Sequence, residues 1–274
     1  MGALVGGAYA AGKLPAFRDW AYGLTEASVY KLLDVSLRGP GIVKADRVVG
    51  EVAEILENAQ IEDLDIPYTA VATDLTARRE VWFREGPLAM AIRASIAIPS
   101  VITPVNYEGH ILADGGVMNP VPLEPLASVL ADATVAVSLS GKPATVAAHP
   151  AAEDKLEVAP AEGWLSKLWR AGSELRDKVP ARNKTGQPGL DVDAVGEDAS
   201  FEALPESLKM TDVISMSLDT MQGAIGRYRM AANPPDVLVS VPRDTASTYD
   251  FHRAHEIAEV GREKAVAAFD AAGL

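Results

Sequence analysis

The chain has 274 residues, long enough to bury the core of one α/β domain, and its 48% apolar and 23% charged residues exclude wholesale disorder. Asp and Glu number 38 against 25 Lys and Arg, a net charge of -13 with no dense basic stretch, which excludes the clustered cations that a nucleic-acid backbone requires. There is no Cys, so disulfides, thiolate catalysis and Cys-ligated zinc are excluded as well.

Residues 2–12 are small and apolar almost all round, which predicts an interior helix ended by Gly12. Residues 46–58 predict an amphipathic helix with Val48, Val49, Val52, Ile55 and Leu56 on one face and Asp46 as its cap. A buried strand is expected over residues 66–73 and a second over 79–83. Gly86-Pro87 opens a helix to about Ser95, with Pro87 at the first helical position. Residues 101–105 and 110–113 flank Glu108-Gly109, the signal of a tight hairpin. A helix near 123–130, a strand over 134–139, a helix over 212–230, a strand over 236–241 and a last helix over 251–271 complete the pattern.

Helical periods alternating with short β-branched runs predict an α/β fold, with a mostly parallel central sheet flanked by helices, in a single domain over residues 1–274. Within it, residues 141–205 are rich in Ala, Pro, Gly, Asp and Glu and predict a long, partly mobile surface insertion. Trp164, Leu165, Leu168, Trp169 and Leu175 fall on one side of a helix there, beside Lys167, Arg170 and Arg176. Such a stripe either packs on its own domain or rests transiently on a membrane surface. No run approaches the roughly 20 apolar residues that span a bilayer, and an acidic, cysteine-free chain suits a cytoplasmic location.

Asp114-Gly115-Gly116 is by itself a common turn signal. Its surroundings are more specific. Ala91-Ile92-Arg93-Ala94-Ser95, Ile98-Pro99 and Thr103-Pro104-Val105 lead into Leu112-Ala113-Asp114-Gly115-Gly116-Val117-Met118-Asn119-Pro120-Val121-Pro122. This block, with Ala72-Thr73-Asp74-Leu75, Val81-Trp82-Phe83, Pro235-Asp236-Val237-Leu238 and Asp250-Phe251, closely resembles the patatin-like phospholipase family. The resemblance implies a three-layer architecture related to the α/β-hydrolases and a lipid acyl hydrolase that uses a Ser-Asp dyad, with Asp114 as proton acceptor and no cofactor.

The family's nucleophile stands in a Gly-x-Ser-x-Gly elbow, a sharp turn that exposes the serine oxygen. Met1-Gly2-Ala3-Leu4-Val5-Gly6-Gly7 resembles the residues that follow this serine, with Met1 as the variable position and Gly2 as the last elbow glycine. The resemblance thus places the serine one residue ahead of Met1, after a strand and a glycine-rich oxyanion loop. A start assigned inside the elbow is the expected cause, with a natural truncation as the alternative cause, and the chain without its serine is expected to be inactive. The alternative is a catalytically dead scaffold or a lipid-binding protein that keeps the fold.

The remaining candidates read as structural. His252 and His255 lie three apart beside Glu256 and predict surface or packing roles, so no metal is assigned; the other His are His110 and His149. Ser95, Ser138 and Ser140 lack elbow glycines and predict packing roles.

Overall fold

The computed structural model describes residues 1–32, 43–99, 101–127, 129, 131–141, 208, 210–247 and 250–274. The expected insertion at 141–205, apart from Gly141, lies outside them, as does the whole Trp164, Leu165, Leu168, Trp169 stripe. The described residues belong to one compact unit, Met1–Val146 with Leu208–Leu274.

Its elements run α1 (Gly2–Ala10), α2 (Leu14–Tyr22), α3 (Glu26–Leu32), α4 (Asp46–Ile55), β1 (Ala70–Asp74), β2 (Arg79–Phe83), α5 (Leu88–Ser95), β3 (Val105–Tyr107), β4 (His110–Asp114), β5 (Val135–Gly141), α6 (Met210–Ala232), β6 (Val237–Pro242) and α7 (Ala254–Ala272). The α/β class is as expected, but the pairing corrects the expectation of a mostly parallel sheet. The larger sheet has order β2-β1-β4-β3 and every pair in it is antiparallel, whereas among the described strands β5 and β6 pair in parallel. Alternating helices and strands in the sequence suggested helical crossovers. Here, however, β1 to β2 and β3 to β4 are linked by turns short enough to force antiparallel neighbours.

β1 is buried at all five positions, as befits a central strand covered on both faces. It is shorter than read, because Ile66 is exposed and precedes it. The core beneath the sheet joins Leu4 and Ala8 of α1, Val52 of α4, Ala70 and Ala72 of β1, Leu88 and Ile92 of α5 and Leu112 of β4. α1 approaches α5 closely: a Cβ on Gly7 would stand 2.9 Å from Ile92 Cδ1, so the small residues of this helix are a packing requirement. Tyr68, partly buried, donates its hydroxyl to Ala3 O at 2.8 Å and ties down the first turn of α1.

Other differences are local. Asp46 is the first residue of α4 rather than its cap, which falls on Ala45 in a left-handed conformation, and its carboxylate faces Arg93 at 3.7 Å. The helix expected near 123–130 is a single 3-10 turn, Glu124–Leu126. The last helix begins with a 3-10 turn, Asp250–Arg253, before α7 proper. α2 and α3 were not anticipated. α7 covers Val237, Val239 and Val241 of β6 through Ala265, Ala268 and Phe269.

The β3–β4 hairpin is the one expected, with Tyr107 paired to His110 around Glu108 (φ 51°) and Gly109 (φ 84°). Two left-handed residues make the turn that matches strand twist. Gly109→Val should therefore lower the unfolding free energy by about 1–2 kcal/mol in urea titrations, the cost of a side chain in that conformation. An unchanged midpoint would contradict this account of the hairpin.

Candidate active site

Asp114 closes β4 opposite Ala72, at the middle of the central strand. Three backbone ties hold it. Asp114 N donates to Ala97 O at 2.9 Å, Thr73 Oγ1 donates to Asp114 O at 3.0 Å, and the ladder to β1 continues on its N-terminal side. The carboxylate accepts the Gly116 N–H at 2.6 Å, so the side chain caps the 3-10 turn Gly115–Val117 that follows the strand.

The two glycines have a different role from the one a turn motif suggests. Neither carries a positive φ. A Cβ on Gly115 would instead lie 2.3 Å from Val71 O, and one on Gly116 would lie 2.8 Å from Asp114 Oδ1. The first glycine lets the turn press against the backbone of β1; the second keeps the face of the carboxylate clear.

The charge at the start of α1 is felt at this turn. Burial lowers the pKa of the Met1 α-amino group, and the nearby charge of Asp114 raises it in part. Burial correspondingly raises the pKa of Asp114 above the ordinary carboxylate range, while the Met1 amino group and the Gly116 N–H pull it down. Of the residues at which the sequence reading placed chemistry, Asp114, Gly115 and Gly116 stand at the end of β4, and Met1 and Gly2, at the start of α1, lie within electrostatic reach of Asp114.

The sequence reading missed a polar network behind the site. Arg229 of α6 reaches Glu124 Oε1 at 2.8 Å and also pairs with Glu80 of β2. Buried Asn119 donates its amide to the same two carboxylates, at 2.9 Å to Glu124 and 3.2 Å to Glu80. Burial tends to raise the pKa of Glu124, but the Asn119 and Arg229 hydrogen bonds outweigh it and hold the group low. The network fixes the segment after Gly116 between the sheet and α6; a Cβ on Gly226 of α6 would already stand 3.3 Å from Pro120 Cγ. No local spacing links residues 80, 119, 124 and 229, so only the motif string around Asn119 offered a signal.

The other candidates lie elsewhere. Ser95 is buried at the end of α5. Ser138 and Ser140 are on β5. His252 approaches Glu26 at 3.9 Å and His255 stacks edge-on against Tyr22. His110 Nδ1 lies 2.7 Å from the carboxylate of Asp74, which caps the β1–β2 turn by accepting from Thr76 N and Ala77 N. Among the described residues no three His, Asp or Glu side chains gather to hold a metal ion. No described helix is long and apolar enough to cross a membrane.

Comparison with known proteins places these elements among relatives. The family model for patatin-like phospholipase matches residues 1–127, which end just past the 3-10 turn of Glu124. An uncharacterized NTE family protein of Mycobacterium tuberculosis is 40% identical over 299 residues, covering 99% of this chain and 81% of that protein. Patatin-like phospholipase domain-containing protein 7 of Mus musculus is 28% identical over 168 residues, 61% of this chain and 12% of that protein. Patatin-like phospholipase domain-containing protein 6 of Homo sapiens is 28% identical over 130 residues, 47% of this chain and 9% of that protein.

Two expectations follow from the site's geometry. Gly115→Ala must displace the turn from β1 and should destabilise the chain by about 3 kcal/mol in denaturant titrations. For Asp114, the folded-state pKa lies above the unfolded one, so the native state holds the proton more tightly between the two values. Stability is therefore lost as pH rises through that window and stays lower above it. Asp114→Asn removes the buried charge and should raise the thermal midpoint at pH 7; a lower midpoint for the variant would refute the assigned cause.

Proposed function

The chain belongs to the patatin-like phospholipase family, and on that premise we propose that it hydrolyses acyl esters of lipids in a form carrying a serine directly ahead of Met1, with Asp114 as the proton acceptor. The observation that supports this reading is the desolvated Asp114 carboxylate at the start of α1, within reach of the Met1 amino group's charge. An oxygen borne by the preceding residue would emerge at the same place.

In this mechanism Asp114 takes the serine proton as the oxygen attacks the ester carbonyl. The tetrahedral intermediate collapses to an acyl-enzyme, and the leaving alcohol receives the proton back. Water then repeats the sequence: it gives a proton to Asp114, attacks the acyl carbon, and releases the fatty acid with the serine reprotonated. A free Asp, with a pKa of about 3.9, is a weak base, and burial brings the group closer to the pKa that general-base catalysis needs. Backbone N–H groups of a glycine-rich loop ahead of the elbow would hold the oxyanion.

No second carboxylate and no histidine takes part in this mechanism, because the dyad needs neither. His110 is committed to Asp74, on the opposite end of β1 from the Val71 carbonyl that Gly115 contacts. The other reading, a lipid-binding scaffold without hydrolysis, keeps the same geometry and differs only in the fate of the ester.

The test joins the in-frame codons that precede the Met1 codon and assays p-nitrophenyl butyrate hydrolysis. A Gly-x-Ser in that extension should confer turnover, and Asp114→Asn should then lower kcat by about 10³. Because the base works only when ionised, kcat/KM should rise with pH and level off above the raised Asp114 pKa. Extended protein that folds, binds lipid and shows no turnover would favour the scaffold.

A further inference from the structure

Next to the Asp114 turn lies a cleft of about 150 Å³ between α6 and the β5–β6 sheet. Among the described residues its polar lining consists of Ser138, Ser140, Ser240, Gln222 and Arg227, with no Asp or Glu. Pro120 and Leu238 contribute apolar walls. In a chain of net charge -13, a cleft with one guanidinium, several neutral donors and no carboxylate is complementary to an anion.

The lining side chains are not used up by the protein. Ser138 is 7% exposed, and its oxygen accepts the Ser140 N–H at 3.3 Å, leaving its hydroxyl proton without an acceptor among the described residues. The Ser140 and Ser240 hydroxyls, the Gln222 amide and the Arg227 guanidinium have no hydrogen-bond or ion-pair partner among the described residues. Parallel register pairs Ser138 with Ser240, which sets two of the hydroxyls side by side.

Two glycines on α6 make the room. Gly226 is explained by packing, since its Cβ would press on Pro120. Gly223 is not: the nearest atom to its Cβ position is Arg227 Nη1, at an ordinary 3.7 Å. Glycine is disfavoured relative to alanine within a helix, so an unpacked one points to space kept for something else. The cleft exceeds the space that one water molecule needs by about tenfold, and so has room for the five heavy atoms of a phosphate. It also opens toward the ester site, because the Gln222 amide lies 3.7 Å from the Cβ position of Gly116.

We propose that this cleft binds the phosphate of a lipid substrate's head group, with Arg227 as its cation and Ser138, Ser140, Ser240 and Gln222 as donors. The inference rests on the esterase reading for its purpose, and assigns head-group selection to α6, β5 and β6, all beyond residues 1–127 of the family match. A neutral ester would engage Asp114 without filling the cleft.

Binding needs no serine, so the 274-residue chain itself can be titrated by calorimetry with glycerophosphocholine and with inorganic phosphate. The phosphodiester should bind saturably, and Arg227→Gln should weaken it about tenfold, the loss of one charge-assisted hydrogen bond. Gly223→Ala should raise the thermal midpoint by about 2 °C while also weakening binding, a combination that a merely structural glycine would not produce. Absence of saturable diester binding, unchanged affinity in Arg227→Gln, or binding of inorganic phosphate alone would each overturn the proposal. None of these results bears on whether the extended protein hydrolyses p-nitrophenyl butyrate.

Discussion

The contact between Gly115 and the carbonyl of Val71 sets the position of everything at the site. With no room for a Cβ between them, the turn after β4 lies directly on the central strand. The sheet register then places Asp114 opposite Ala72. The Ala97 carbonyl anchors the same residue from the segment after α5, and α5 in turn packs against α1 through Ile92 and Gly7. The start of α1 and the Asp114 carboxylate are thereby held by rigid backbone within reach of each other's charge.

That placement has an energetic consequence. A carboxylate removed from water, with one backbone N–H and a partly desolvated amine as its compensation, is less comfortable ionised than in the unfolded chain. Asp74 provides the contrast within the same sheet. It is more fully buried than Asp114, but two backbone N–H groups and His110 satisfy it, and its pKa is lowered. One acid is built to stay charged and hold a turn. The other is left under-satisfied, and burial raises its pKa.

The Arg229 network and the cleft extend the site beyond the motif. Arg229 bonds α6 to β2 and to the Glu124 turn, while Gly226 lets the same helix approach Pro120. α6 therefore cannot move independently of the loop that follows Gly116. In the proposed function, a helix fixed at this point presents Gln222 and Arg227 to the head group while Asp114 serves the ester.

What the amino-acid sequence by itself determined was the local: the α/β class, the hairpin at Glu108-Gly109, the small-residue helix α1, the strand β2 to its last residue, and Asp114 with its glycines as the residues worth watching. Each rests on a period, a turn preference or a motif string that neighbours along the chain carry. Tertiary structure decided the rest. The antiparallel order β2-β1-β4-β3, the steric reason for Gly115, the nearness of Met1 to Asp114 and the Glu80–Asn119–Glu124–Arg229 network all join residues far apart in sequence. Strand pairing and carbonyl contacts depend on which backbone arrives from elsewhere, and desolvation depends on what covers a group, so neither is written in the spacing of residues along the chain.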